Sequence, residues 1–316
     1  MHMTAKEISY LGLAFTDRTE LSFFTMLDDV ETDGSEHVNL IEKGVFSGDS
    51  YSPEALAILT VLEQPERCSR LILQNGIFSV EKYTYKKDDS LVLVEASKQG
   101  YVFSKPDSPA DAVLTLADFV SFSNITMTEF DINLDVAEGM VLTAVIDWYR
   151  RNALAAFSKK QSSFGPPELK DIESEFEDSF EASLLYIISK AFNFDPINRA
   201  EIEKALQSLI DKSYILKEDD GNGFLLNTDF GVFASTFLIP ECFILYETFS
   251  IKGPGEVGFA SNYCVTGGTH NTVVYSYSGS AFGMKTMSAA NLLRHIEGFL
   301  NCPDLEKTPG SDSEGR

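Results

Sequence analysis

Hydrophobic positions in the first hundred residues change from a helical spacing to a strand-like spacing near Pro65. Before that point, apolar residues recur three and four positions apart, as in the run 56–62. Ser52-Pro53-Glu54 has the sequence of a capped helix start. After Pro65, short β-branched and aromatic runs alternate with turn residues such as Asn75-Gly76. The pattern therefore predicts helices followed by an antiparallel meander, and then a closing helix that begins at Ser108-Pro109.

The same succession recurs in the second half of the chain. A helical stripe occupies residues 202–210, the polar turn Glu218–Gly223 predicts a hairpin, and strand-like runs follow Pro240-Glu241. Two helices, a hairpin and a further helix are the parts of a winged-helix module. We predict an α+β fold of two tandem pseudo-symmetric copies. Each copy is a winged-helix-like helical module followed by an antiparallel sheet and a closing helix.

Matched positions of the two copies change register only at predicted turns, as expected if insertions are confined to loops. The best internal break is Gly165-Pro166-Pro167. The predicted organisation is a first copy at 1–125, an inserted long helix and linker at 126–165, a second copy at 166–302 and a disordered tail at 303–316.

Two helices are predicted around that break. The longer one extends from Asn133 to Lys159. The other lies within Glu168–Glu181, where seven acids accompany one lysine and the apolar residues share one helix face. We expect the charge run to be the solvated side of this second helix.

The charge of the chain is strongly negative. It has 25 lysines and arginines against 48 aspartates and glutamates, for a formal net charge of −23. Such a surface repels phosphate backbones and anionic lipids, so neither nucleic acid nor a membrane is expected as a partner. The winged-helix pattern keeps DNA binding as an alternative, with Arg199, Lys204 and Lys212 near the reading helix. The acidic wing Glu218-Asp219-Asp220 disfavours it.

Cysteine usage and hydropathy point to the cytoplasm. Four cysteines are widely spaced without a CxxC motif, which favours free thiols in a reducing compartment. No apolar run approaches the length of about 18 residues needed for a membrane span. We predict a cytoplasmic protein.

No enzyme signature emerges from the sequence. Cys264 and His270 lie six residues apart across a predicted turn without a third orienting group, so a nucleophile–base pair is not expected. The glycine-containing turns lack the phosphate-binding context, and the four histidines lack metal-ligand spacing. The prediction is a non-enzymatic protein with no catalytic residues, no cofactor and no metal site.

The segment Trp148-Tyr149-Arg150-Arg151 is a candidate contact with another protein, because aromatic residues and arginine are favoured interface anchors. The alternative is that this segment packs between the two copies. Trp148, Tyr149 and Arg150 are therefore predicted as protein-binding residues, and the oligomeric state stays open.

The tandem arrangement, with junctions at Pro65-Glu66 and Pro240-Glu241, resembles the EspG family of type VII (ESX) secretion chaperones over most of residues 5–300. The resemblance implies a cytosolic chaperone that grips the tip of a helical secreted substrate. In that family the loop between the second and third strands and the C-terminal helical bundle make this contact. The corresponding loops here are Lys86–Asp89 and Gly267–His270. The residues implied as contacts are Lys86, Lys87, Gly267, Gly268 and His270.

Overall fold

The computed structural model describes residues 1–26, 30–32, 34–76, 78–160, 164–177, 183–219, 221–267, 270–278 and 281–305. The fold is α+β with an antiparallel sheet, as predicted. The chain divides into two compact units. Unit 1 comprises residues 1–116, 246–260 and the stretch from 293 onward, and unit 2 comprises 117–245 and 261–292. The predicted copy boundaries and the pseudo-symmetry remain predictions, and residues 306–316 of the predicted tail lie outside the described residues.

The first part of unit 1 contains helices, a small hairpin and a meander. Its helices are α1 (Ala5–Gly12), α2 (Glu36–Glu42), α3 (Pro53–Glu63) and α4 (Ala110–Leu114), with a 3-10 turn at Phe23–Thr25. Its strands are β1 (His2–Met3), β2 (Phe46–Ser47), β3 (Ser50–Tyr51), β4 (Arg67–Asn75), β5 (Phe78–Lys87), β6 (Ser90–Ser97) and β7 (Gly100–Ser104). The hydroxyl of Ser52 accepts a hydrogen bond from Ala55 N, with Pro53 at the first helical position, so the predicted cap of α3 is present.

The sheet of unit 1 has two differently covered faces. One face packs on a core that includes residues of α1 and α3. On the other face, the Ser69 hydroxyl donates to the carbonyl of Phe299 at 2.6 Å and lies 2.9 Å from the Thr248 hydroxyl. Thr84 Oγ1 lies 3.3 Å from the sulfur of Cys302. The end of the last helix is therefore fixed to the strands by hydroxyl groups.

Unit 2 contains most of the remaining helices and strands. They are α5 (Ala117–Val120), β8 (Asp131–Asp135), α6 (Val136–Lys159), α7 (Leu169–Glu177), α8 (Leu184–Phe192), α9 (Arg199–Asp211), β9 (Ile215–Lys217), β10 (Phe224–Leu226), α10 (Thr228–Thr236), β13 (Thr272–Ser278) and β14 (Ala281–Thr286). Three further elements contribute residues to both units, and these are β11 (Cys242–Gly253), β12 (Glu256–Thr266) and α11 (Ala289–Leu300). Within unit 2, β12, β13, β14 and β8 pair in that order.

Two predicted helix boundaries were wrong. The long helix begins at Val136 rather than Asn133, because Asp135 caps it in a capping box with Glu138. The preceding residues form β8, with Ile132 and Leu134 inward and the alternate polar residues exposed. The closing helix of the first half is divided into α4 and α5 instead of being continuous.

Helix α6 lies at the centre of unit 2. Its middle is buried nearly all round, and it packs on α7, α8, α9 and α10. Gly139 allows a close approach to β14, since a Cβ at this position would lie 2.1 Å from Cδ1 of the Phe282 ring. This helix therefore determines where the surrounding segments of unit 2 are held.

Candidate partner-binding surface

The loop between β12 and β13 in unit 2 is bonded to chain segments on both sides. The carbonyl of His270 accepts a hydrogen bond from Met127 N at 3.2 Å, and His270 Nδ1 lies 3.0 Å from Ser123 Oγ. On the other side, Asn271 Nδ2 donates to the carbonyl of Thr236 at 3.2 Å. Three sequence-distant segments are thus joined. We call them together the loop surface, comprising 122–127, 236–241, 267, 270 and 271.

Large apolar side chains on the loop surface are open to solvent. Phe122 is 58% exposed, Ile125 61%, Met127 51% and Ile239 62%. Isolated exposed apolar residues are common, whereas these four lie on segments that hydrogen bonds join to one loop. The chemistry of the loop surface is therefore suited to burial against another apolar surface.

A close backbone approach holds the 237–239 segment against the loop. A Cβ built on Gly267 would lie 3.1 Å from the carbonyl oxygen of Ile239 and 3.3 Å from the ring of Phe237. Phe237 is fully buried and belongs to the core of unit 2. The exposed Ile239 is consequently carried by a segment with a buried anchor two residues before it.

Arg150 lies beneath this segment and is itself only 4% exposed. Its Nε donates to the carbonyl of Phe237 at 2.6 Å, and its Nη2 donates to the carbonyl of Leu238 at 3.2 Å. The guanidinium also lies 5.4 Å from the centre of the Phe237 ring. The structure thus connects Arg150 to the loop surface as a residue that positions its backbone, rather than as an exposed contact.

Asp147 completes this arrangement. It pairs with Arg150 Nη1, and its other carboxylate oxygen accepts a hydrogen bond from Leu185 N at 2.8 Å. Burial raises the pKa of Asp147, while Arg150 and the backbone donors oppose that shift. The guanidinium is therefore fixed by a buried counter-ion on one side and by two backbone carbonyls on the other.

Trp148 and Tyr149 form a separate aromatic group with Phe164. The three rings have centroids 5.2 to 6.0 Å apart. The Tyr149 hydroxyl donates to the carbonyl of Phe224 at 3.1 Å, and burial raises its pKa to about 12. Both α6 residues are half-buried, and Phe164 is 38% exposed. Their predicted role as contact residues remains a prediction.

Lys86 and Lys87 lie at the β5–β6 turn of unit 1. The carbonyl of Lys86 accepts a hydrogen bond from Glu66 N at 2.9 Å, and Lys87 Nζ donates to Gln64 Oε1 at 2.7 Å. Asp88 has a φ of 51°, which closes the turn. The predicted contact Gly268 lies outside the described residues. The two predicted loops thus belong to different units, and each is tied to its own surroundings.

The remaining candidate chemistry is internal. Cys264 is fully buried, and burial raises the pKa of its thiol well above the usual value, so the thiolate nucleophile is disfavoured. All four cysteines are buried and free. Among the residues that the structure describes, no group of three metal-ligating side chains is assembled. No helix in the described part of the chain is both long enough and apolar enough to cross a membrane.

The cationic residues near the predicted reading helix α9 are largely neutralised. Arg199 forms ion pairs with Glu173 at 3.2 Å and with Glu203 at 3.0 Å. Lys212 pairs with the buried carboxylate of Glu138 at 2.6 Å. Phosphate contacts would have to compete with these pairs, which disfavours the DNA-binding alternative.

Sequence reasoning missed the apolar residues of the loop surface. Residues 121–130 have neither a helical nor a strand period, so their apolar side chains carried no signal of burial or exposure. The only sequence cue was the apolar run 237–239 directly before Pro240, and most of it was assigned to a helix predicted to reach Leu238, whereas α10 ends at Thr236. The Gly267–His270 loop was singled out, but its neighbours were not.

The chain matches no family model and no curated protein. Among solved structures, it is similar to the Mycobacterium tuberculosis type VII secretion system chaperone EspG5, determined in complex with a PE25–PPE41 dimer. The TM-score is 0.51 at 8% sequence identity, and the match covers 95% of this chain and 95% of that chain. The fold therefore resembles that of EspG5, and the predicted architectural resemblance is confirmed.

Proposed function

We propose that this chain is a non-enzymatic, cytoplasmic protein-binding protein that acts like a secretion chaperone. It holds an apolar segment of another protein on the loop surface, and a helical segment is the favoured form. The observation that carries the proposal is the exposure of Phe122, Ile125, Met127 and Ile239 on segments bonded to the β12–β13 loop. A helix that presents apolar side chains one turn apart would bury them there.

The architecture supports a protein partner. The EspG5 chaperone, which shares this fold at a TM-score of 0.51, was determined bound to a protein dimer. The loop implied by that resemblance, Gly267–His270, is the one around which the exposed apolar residues of unit 2 are found. The resemblance and the exposed apolar residues both support this part of unit 2 as the proposed contact.

The internal support of the loop surface favours binding. Arg150 holds the carbonyls of Phe237 and Leu238, so the backbone that carries Ile239 is fixed before a partner arrives. A surface that is already ordered loses less conformational entropy on association. Lys86 and Lys87 on the β5–β6 turn of unit 1 are proposed as a second contact.

Affinity capture from native lysate tests the proposal. A tagged wild-type chain is compared with the double variant Ile125→Asp/Ile239→Asp, and bound proteins are measured by quantitative mass spectrometry. Two charges placed at the centre of an apolar contact should reduce recovery of the partner about tenfold or more. The pair Lys86→Ala/Lys87→Ala tests the second contact in the same way.

The matched control is Phe157→Asp, because this residue of α6 is 85% exposed and does not belong to the loop surface. It should recover the partner as the wild type does. The proposal is wrong if no protein is enriched over an unrelated acidic bait, or if the double variant and the control lose partner equally.

A further inference from the structure

Two cations face each other on neighbouring strands of unit 1. Arg67 of β4 and Lys86 of β5 are direct antiparallel partners, so their side chains share one face of the sheet. Like charges directly opposite each other destabilise a sheet. In the described part of the chain neither side chain forms an ion pair, although acids outnumber bases by 48 to 25. The pairing therefore calls for a compensating negative charge.

A cleft opens beside Arg67. Its volume is about 400 Å³, and it is lined by Thr19, Pro65, Glu66, Arg67, Ser250, Ile251, Lys252 and Asp304. Lys252 brings a second cation to the cleft and has no ion-pair partner among the described residues. The cleft thus combines a guanidinium, an ammonium group and hydroxyl side chains.

Ser250 supplies an independent sign of a missing ligand. The residue is 4% exposed, and its hydroxyl has no hydrogen-bond partner. Its neighbour Ile251 donates its N–H to the carbonyl of Glu66 at 3.0 Å, so Ser250 lies next to Arg67 across the strands. Buried hydroxyl groups are nearly always paired, so an unpaired one beside a cation requires an explanation.

The end of α11 accounts for only part of this arrangement. Ser69 and Thr84 lie two positions along the strands from Arg67 and Lys86, and they contact the carbonyl of Phe299 and the sulfur of Cys302, so both cations lie near the helix C-terminus. Cations are favourable there. The helix end explains the cations, but it leaves the Ser250 hydroxyl unpaired.

Two carboxylates also line the cleft. The Glu66 carboxylate is hydrogen-bonded to the β5–β6 turn, where its Oε2 accepts a hydrogen bond from Asp88 N at 3.4 Å. Asp304 is exposed and competes with an incoming anion through its charge. Removing the charge of Asp304 should therefore strengthen anion binding, whereas removing a cation should weaken it.

We propose that this cleft binds a phosphate-type oxyanion, with the Arg67 guanidinium and Lys252 as cationic partners and the Ser250 hydroxyl as a further donor. The planar fork of arginine matches two oxygens of such an anion. The anion would also offset the repulsion between Arg67 and Lys86. Free phosphate and a phosphate ester present the same oxygens, and the experiment separates them. This site is independent of the proposed function on unit 2.

Isothermal titration calorimetry of the full chain with inorganic phosphate, at fixed ionic strength and pH 7.5, tests the site. We expect saturable binding with one phosphate per chain. Arg67→Gln should weaken it about tenfold or more, Ser250→Ala should weaken it less, and Asp304→Asn should tighten it. Lys98→Gln, an exposed lysine on the β6–β7 turn, should bind as the wild type does.

O-phosphoserine forms the second arm of the titration. Tighter binding of the ester than of inorganic phosphate supports the site and identifies a phosphorylated ligand, and the reverse order supports it with a free anion. Thermal unfolding of each variant checks that the chain is folded. Non-saturable heats with both probes, or equal affinity of the wild type and folded Arg67→Gln, would overturn the proposal.

Discussion

Arg151 and Glu175 form a two-pronged ion pair that joins α6 to α7. Nη1 of the arginine lies 3.1 Å from Oε2 of the glutamate, and Nη2 contacts Oε1. The carboxylate side chain is only 1% exposed, whereas the arginine side chain is 40% exposed. Burial raises the pKa of Glu175 to about 7, and it outweighs the opposing effect of Arg151. The expectation that the acidic run is wholly solvated was therefore wrong at this residue.

Glu175 should make the protein less stable as the pH rises. Between the ordinary pKa of 4.5 and the folded value of about 7, the folded chain retains a proton that the unfolded chain has lost. Its stabilising contribution is full below 4.5 and is lost as the pH rises through 7. Glu175→Gln cannot titrate, so its free energy of unfolding relative to the wild type should increase by about 3 kcal/mol from low to high pH. Urea unfolding between pH 5 and 8 measures this difference.

Glu177→Gln is the matched control, because Glu177 is an exposed acid on the same helix. The charged groups nearest Glu175 are Arg151, Asp147 and Asp171, and they are unchanged in both variants. Parallel pH profiles for Glu175→Gln and the wild type would contradict the prediction.

Loss of Arg150 should be strongly destabilising. Arg150→Met removes the counter-ion of the buried Asp147 and two hydrogen bonds to backbone carbonyls, at a cost of about 3–5 kcal/mol in the free energy of unfolding. Asp147→Asn/Arg150→Met should recover part of that loss, because no buried charge is then left alone. Urea unfolding of both variants gives the values. A cost below about 1 kcal/mol for the single variant would show that the pair is not needed.

Two glycines in helices should respond oppositely to alanine. Gly139→Ala places a methyl group against the Phe282 ring, and the overpacking should cost about 1–3 kcal/mol. A Cβ on Gly298 in α11 meets nothing within 4 Å, so Gly298→Ala should stabilise by up to about 1 kcal/mol through helix propensity. Differential scanning calorimetry should show a lower Tm for the first variant and a higher Tm for the second. Equal shifts would refute the packing argument.

Neighbouring residues of the loop surface should separate binding from stability. Ile239→Asp changes an exposed side chain and should alter the free energy of unfolding by less than about 0.5 kcal/mol. Phe237→Ala empties a buried position and should cost about 3–5 kcal/mol. Guanidinium unfolding of both variants provides the comparison. A large cost for Ile239→Asp would mean that this residue has a structural role instead of a binding role.

Local signals in the sequence predicted most elements of the fold. Ser52 caps α3 as expected, because a cap depends on residues only a few positions away. The strands of the meander also agree closely with the turn residues between them. The predicted start of α6 at Asn133 was wrong because this residue belongs to β8. That strand depends on pairing with β14, which lies about 150 residues further along the chain.

The candidate surface was less accessible to sequence reasoning. The exposure of Ile125 and Ile239 depends on which segments come together in three dimensions, and a single sequence contains no record of that. The prediction that Glu175 is solvated was wrong for a related reason, since its partner Arg151 lies 24 positions away on another helix. Residue type suggested Arg150 as a contact with a partner. In the structure its side chain is buried and donates hydrogen bonds to the backbone carbonyls of the 237–239 segment.

The hydroxyl contacts on the polar face of the unit 1 sheet have a consequence for the biosynthesis of this protein. Ser69 bonds to Phe299, 230 positions later, and Thr248 donates to the carbonyl of Cys68, 180 positions earlier. Strands β4 to β7 leave the ribosome long before either partner has been translated. The nascent chain must therefore expose that face until Thr248 and then Phe299 have been synthesised, and the final turns of α11 are the last of these segments to cover it.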